Sequence, residues 1–188
     1  AADRFAGRTF DFCMSNPPFG VDWRAAQSSV KGESARFPDG RFGHGLPRIS
    51  DGQMLFLSHL AHKMRPRHEG GGRAGIVLNT APLFAGHAGQ GETEIRRWLL
   101  EADLVDAIVA LPTHMFFNTA LPTFVWILDN NKSELRRGKV QLIDGSDMYT
   151  RLVRSIGDKS REITQSHRDQ ILALYDGFTD GDHSRVFD

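Results

Sequence analysis

Residues 73–79, "RAGIVLN", form a short continuous apolar run directly after a glycine turn, and residues 104–111, "LVDAIVAL", and 123–129, "TFVWILD", repeat the pattern. A strand with one wet face alternates apolar and polar residues, whereas a run apolar at successive positions must be covered on both sides, as in sheets flanked by helices. The segments between supply the helices. Residues 50–66, "SDGQMLFLSHLAHKMRP", open on Ser50 or Asp51 as N-cap, line up Met54, Leu57, Leu60, Ala61 and Met64 on one face, and close at Pro66. Residues 91–102, "GETEIRRWLLEA", turn Ile95, Trp98 and Leu99 inward and Arg96 and Arg97 outward. Only about ten residues separate the runs 104–111 and 123–129, too few for a crossover helix, so this pair is predicted to be antiparallel. Residues 9–14, "TFDFCM", and 139–144, "KVQLID", read as further strands. Residues 164–178 read as a last helix with Ile171, Leu174, Tyr175 and Phe178 at helical spacing. The order implies an α/β sheet with an antiparallel edge. Domain organisation is expected as 1–150, the sheet, followed by 151–188, a linker and C-terminal helix.

With 188 residues the chain is long enough for one domain with a core. Lys plus Arg equals Asp plus Glu at 23 each, which argues against a general polyanion-binding surface and leaves room for a local basic patch. Cys13 is the only cysteine, so no intrachain disulfide forms; a reducing compartment and a cytoplasmic location are expected, with the thiol buried and inert. No apolar run approaches the roughly 18 residues that span a bilayer, and no secretory leader pattern stands at the N-terminus. His59 and His62 lie three apart on a predicted helix, without the Cys or acidic neighbours a metal site needs, so no metal is expected.

The stretch "SNPPFG", residues 15–20, follows directly on the first predicted strand. Two successive prolines fix φ, remove two donors and push their predecessors out of the helical region. The carbonyls of Asn16 and Pro17 therefore stay available as acceptors. Asn16 adds a side-chain oxygen, and Phe19 adds a flat apolar face. Acceptors beside a stacking ring suit a planar group bearing an amine, although Asn-Pro also simply initiates turns. Ligands in open α/β sheets bind at the carboxyl ends of strands, which is where this turn stands. Residues 21–49 are polar and Gly-rich without sustained period and read as a long functional or mobile loop.

Taken in order, "NPPFG" with "VDW", "SDGQMLFLSHLAHKMRP", "GGRAGIVLN", "ETEIRRWLLEADLVDAIVALP", "MFFNTALPTFVWIL" and "REITQSHRDQILALYDGF" resemble the modification subunit of type I restriction–modification systems. These are N6-adenine DNA methyltransferases that use S-adenosylmethionine. The resemblance implies a partial class I, Rossmann-like methyltransferase sheet, supplying strands four to seven with an antiparallel closing hairpin and one extra strand. It further implies that the family's cofactor loop and its acidic partner would precede Ala1. The glycine stretches 86–91 and 69–73 do not take over that role: the first follows no strand closely and the second leads into a strand. These residues alone are therefore expected to be inactive and to bind S-adenosylmethionine poorly.

By resemblance, the catalytic residues are Asn16, Pro17, Pro18 and Phe19. Asn16 contributes a side-chain oxygen and Pro17 a backbone carbonyl to the target amine, and Phe19 stacks on the extruded adenine. Arg24, Lys31, Arg36 and Arg41, interleaved with Trp23, Phe37 and Phe42, are candidate DNA contacts. Phe116, Phe117 and Trp126 are expected in the core. DNA, a specificity subunit and a restriction subunit are the implied partners. The unpaired flank of strand 9–14 adds an expectation of self-association through the sheet edge. Two other readings stay open: methylation of a glutamine amide in a protein, where Asn-Pro-Pro-Tyr also occurs, and a noncatalytic DNA-binding or assembly module.

Overall fold

A computed structural model describes residues 3–188 of the protein. The apolar runs become strands: β1 (Phe12–Ser15), β2 (Arg73–Asn79), β3 (Val105–Leu111), β4 (Thr123–Asp129) and β5 (Val140–Asp144). A short β8 (Ser184–Phe187) completes one six-stranded sheet in the order β1-β2-β4-β3-β5-β8. β1 runs parallel to β2, and β3 to β5, while β4 and β8 run against their neighbours. The β3/β4 pair is antiparallel, as the short connection requires. Its place is a correction: β4 lies inside the sheet between β2 and β3, and the antiparallel edge is β8, which the sequence reading did not contain.

Helices α2 (Gln53–Lys63) and α4 (Gly91–Glu101) cover one face, with the single-turn α3 (Ala81–Phe84) following β2 in the chain. Cys13, Ala74, Ile76, Leu78, Trp126 and Leu128 from the strands meet Met54, Leu57, Ala61, Ile95 and Leu99 from the helices in a single core. Leu57, Ile76, Leu78 and Leu128 have no solvent exposure, each contributing about 1.5–3 kcal/mol through burial. Burial also pushes the Cys13 thiol up, in keeping with an inert side chain. The other face carries Ala107, Val109, Gln141 and Ile143 in register. Helix α5 (Gln165–Gly177) packs there, and Gln141 Nε2 donates to the Leu174 carbonyl at 2.8 Å. On β1 that face presents Phe12 and Met14, 75% and 89% exposed, and the outer edge of β1 has no partner strand among the described residues. This is the open apolar edge on which the expectation of self-association rests.

Three differences from the sequence reading have physical causes. Residues 21–49 are no mere loop: a 3-10 turn (Arg24–Ala26) leads into α1 (Gln27–Arg36), a ten-residue helix with Val30 as its one buried residue. One apolar contact leaves no periodic pattern to read. Val30 instead joins Trp23, Phe42 and Leu55 in a small second core. Residues 151–188 hold more than a linker and helix, because β6 (Thr150–Ile156) and β7 (Lys159–Glu162) pair as a separate two-stranded ribbon and β8 returns to the main sheet. Phe117, expected in the core, is 60% exposed, while Trp126 is buried as expected.

Candidate active site

The turn 16–20 leaves the C-terminal end of β1, the edge strand. Asn16 and Pro18 are exposed, Pro17 is buried and Phe19 is half-buried. Among the described residues neither the Asn16 side chain nor the Pro17 carbonyl takes part in any hydrogen bond, so both acceptors remain free, as the diproline corner dictates. The Phe19 ring stands edge-on to Phe116, with centroids 6.1 Å apart at 83°. The corner thus touches the loop that connects β3 to β4.

The chain on the C-terminal side of the turn is pinned. The Gly52 amide donates to the Val21 carbonyl at 3.0 Å, Trp23 N donates to Ile49 O at 3.0 Å, and Trp23 Nε1 donates to Arg48 O at 2.8 Å. The segment before α2 is held in turn by a buried amide network. Gln53 Nε2 donates to Asn79 Oδ1 at 2.9 Å and to Asp51, and the Asn79 amide donates back to Gln53 Oε1 at 2.9 Å. The ends of β1 and β2 and the start of α2 are therefore locked together around the corner. Sequence reasoning missed Gln53 and Asn79, since nothing in either segment announces a partner 26 residues away. Neither Ser50 nor Asp51 is the N-cap of α2, which is Gly52; Asp51, one residue earlier, accepts from the Gln53 amide through Oδ1 at 3.1 Å.

The candidate DNA-contact residues are not equivalent. Lys31 and Arg36 are exposed on α1 and enter no ion pair among the described residues. Arg24 is exposed and pairs with Asp22 at 3.3 Å. Arg41 is committed internally: its guanidinium bonds both Glu33 oxygens at 2.5 and 2.7 Å and approaches His59 Nδ1 at 3.0 Å. This pairing holds the Glu33 carboxyl below the usual carboxylate range. The four residues are thus not one basic surface. Trp23 and Phe42 are buried in the second core, leaving Phe37 as the exposed aromatic.

Burial lowers the pKa of His59, with Arg41, His62 and Lys63 adding to it and Asp3 opposing. Burial likewise lowers His44, opposed by Asp39; the His44 ring stacks on Trp98 at 4.0 Å. A histidine with a depressed folded pKa stays neutral in the fold, while the unfolded chain takes up the proton near the ordinary value of 6.5. Its contribution is present above that value and is lost as pH falls toward the folded pKa. The melting temperature is expected to fall between about pH 7.5 and about pH 5.5, and a His44→Gln/His59→Gln variant is expected to flatten that slope. A wild-type profile already flat, or a variant with the full slope, would contradict the assignment.

The glycine stretches do not build a cofactor cradle. Residues 86–91 lead into α4, but the carbonyl of Leu46 lies against its first residue so closely that a Cβ on Gly91 would sit 1.7 Å from that oxygen. The N-terminus of α4 is covered by the 37–49 strap, with Arg48 N donating to Glu92 Oε1 at 2.9 Å. Gly70 to Gly72 lead into β2, a strand, where no helix terminus is available to an anion. Among the described residues no three His, Cys, Asp or Glu side chains converge as a metal site requires, and no helix is long and apolar enough to cross a membrane.

A half-sheet of the methyltransferase kind, with an Asn-Pro-Pro-Phe corner at the carboxyl end of a parallel strand, is the class that fold and site define together. The family model for N-6 DNA Methylase matches residues 1–186, and the chain belongs to that family. It is 29% identical over 181 residues to a type I restriction enzyme MjaIX methylase subunit of Methanocaldococcus jannaschii, covering 96% of this chain and 30% of the relative. Among solved structures, the methyltransferase subunit of a type I restriction-modification system from Streptococcus thermophilus superposes with a TM-score of 0.79 at 29% identity, covering 96% of this chain and 34% of that one. A class I S-adenosylmethionine-dependent methyltransferase from Listeria monocytogenes, described as putative, shares the fold at 16% identity, with a TM-score of 0.54 over 92% of this chain and 44% of that one. The chain spans about a third of the length of the type I subunits it matches. The fold is a partial Rossmann-like methyltransferase sheet.

Proposed function

We propose that these residues are the target-base part of the catalytic domain of a site-specific N6-adenine DNA methyltransferase subunit from a type I restriction–modification system. The observation that carries this reading is the pair of unengaged acceptors, Asn16 Oδ1 and the Pro17 carbonyl, held on a rigid corner beside Phe19. Adenine N6 is a poor nucleophile because its lone pair is spread into the ring. Two acceptors drawing on its two N–H bonds favour a tetrahedral nitrogen and free the lone pair, and both must already be in place when the base arrives. Two prolines provide that fixity. The base reaches the exposed corner only after leaving the duplex, and Phe19 offers a face to replace the lost stacking.

The electrophilic methyl group is supplied by S-adenosylmethionine, and the contribution of the corner residues is made at the amine. Lys31 and Arg36 on α1 are the candidate contacts to the DNA backbone, and Arg24 joins them once released from Asp22. Arg41 acts structurally, through Glu33. DNA and the specificity and restriction subunits are the proposed partners of the whole protein.

The test is methyl transfer by the full-length subunit carrying these residues, assembled with its specificity subunit, using labelled S-adenosylmethionine and duplex DNA. The label is expected on adenine N6 after nucleoside digestion. Label on cytosine, or on protein alone, would contradict the reading.

A further inference from the structure

The β6–β7 ribbon takes no part in the chemistry of the corner. Two-stranded ribbons are marginal in water by themselves. This one is rooted at one end in the loop between β3 and β4. Asp158 N donates to Phe117 O at 3.0 Å, Ser160 N and Arg161 N donate to His114 O at 3.1 and 3.2 Å, and Arg161 Nη1 donates to Thr113 Oγ1 at 2.8 Å. Gly157, at the ribbon's turn, has φ +59 and presses so close to the Phe117 carbonyl that a Cβ there would lie 2.4 Å from it. The same loop sets Phe116 against Phe19. The ribbon and the Asn16 corner therefore share one base.

β6 is open to solvent on both faces: Arg151, Val153, Arg154 and Ile156 are all exposed, Val153 completely. Arg151 and Arg154 enter none of the ion pairs or side-chain hydrogen bonds among the described residues. Residues 150–162 carry four cations against two acids, in a chain whose formal net charge is zero. The other two cations are engaged: Lys159 lies over Phe117 of the root at 5.3 Å, and Arg161, besides its bond to Thr113, lies over Tyr149 just before β6 at 4.1 Å.

We infer that the β6–β7 ribbon is a DNA-binding arm that engages the duplex beside the everted base. The inference rests on the proposed methyltransferase function. A two-stranded ribbon fits the major groove of B-form DNA, arginines meet phosphates or guanine edges there, and small apolar side chains meet thymine methyls. Unopposed arginines on an element otherwise open to water suit a polyanion, whose phosphates they neutralise with release of bound counterions.

The experiment measures binding of the full-length subunit, assembled with its specificity subunit, to a labelled duplex by fluorescence anisotropy over a range of KCl. Arg151→Ala/Arg154→Ala is expected to reduce the slope of log affinity against log salt by about 2, from a loss of about 0.9 per phosphate contact, and to weaken binding at least about tenfold at 0.1 M salt. Arg151→Lys/Arg154→Lys is expected to keep the slope. A double alanine variant with unchanged slope and affinity overturns the proposal; if that variant also assembles poorly with its partner subunit, the ribbon docks protein. Asn16→Ala separates the two readings: it is expected to lose methyl transfer and keep the salt slope. If it keeps transfer while the ribbon variant loses slope, the base pocket falls and the arm stands.

Discussion

Replacing Asn16 with Ala is expected to lower single-turnover methyl transfer by about 10² to 10³-fold or more, equivalent to about 2.7–4 kcal/mol of transition-state stabilisation, the scale for removing one preorganised polar group. Folding should be unaffected, because Asn16 is exposed and its side chain makes no hydrogen bond within the described residues. The melting temperature of the variant should therefore match the parent. Asn16→Asp keeps an acceptor oxygen and is expected to retain part of the rate that Ala loses. Substantial transfer by the Ala variant would mean that the amine is held elsewhere.

The largest effect on stability is expected at Asp106, on β3, which is 1% exposed. It accepts from the Tyr175 hydroxyl of α5, and Arg136 Nη1 lies 3.4 Å from both its oxygens. Arg73 Nη2 donates to the same hydroxyl at 2.6 Å, and the Arg136 guanidinium stacks over Tyr175 and Phe178 at 4.0 and 4.2 Å. Asp106→Ala removes the anion and leaves Arg136 and the phenol with poorer partners. A loss of about 3–5 kcal/mol is expected, the cost of breaking a buried pair from one side, measured by denaturant unfolding. Burial, reinforced by the hydrogen bond to Asp106, pushes the Tyr175 pKa up to about 12. A raised phenol pKa gives stability that is complete below the unfolded value of 10.0 and is lost as pH rises through the folded one. Spectrophotometric titration of the parent should therefore show one tyrosine ionising late, and the variant should lose that late phase. A stability change within about 0.5 kcal/mol would remove Asp106 from its role as the anchor of α5.

How far these elements were legible depends on where their stabilising contacts lie. β2 and β4 match the apolar runs 73–79 and 123–129 residue for residue, because both are buried on two faces and bounded by turn residues. The antiparallel β3/β4 pair came from loop length alone. The interior position of β4 did not, since strand order is set by packing between distant segments. α1, with only Val30 buried, and β6, with both faces exposed, lack the contrast between apolar and polar positions that periodicity requires. β8 is four residues long and gains its structure from pairing with β5. At the site, the corner 16–19 was readable because proline acts locally. The Gln53–Asn79 network and the Asp106–Tyr175 bond join residues 26 and 69 apart, and Arg41 looked like a free cation until Glu33, eight residues away on α1, was seen to hold it.

The central claim is a distance, and a structure of the full-length subunit bound to duplex DNA carrying its target site measures it. The N6 amine of the everted adenine is expected about 3 Å from both Asn16 Oδ1 and the Pro17 carbonyl, with the base face on Phe19. An everted adenine bound away from residues 16–19, with those acceptors facing solvent, would contradict it.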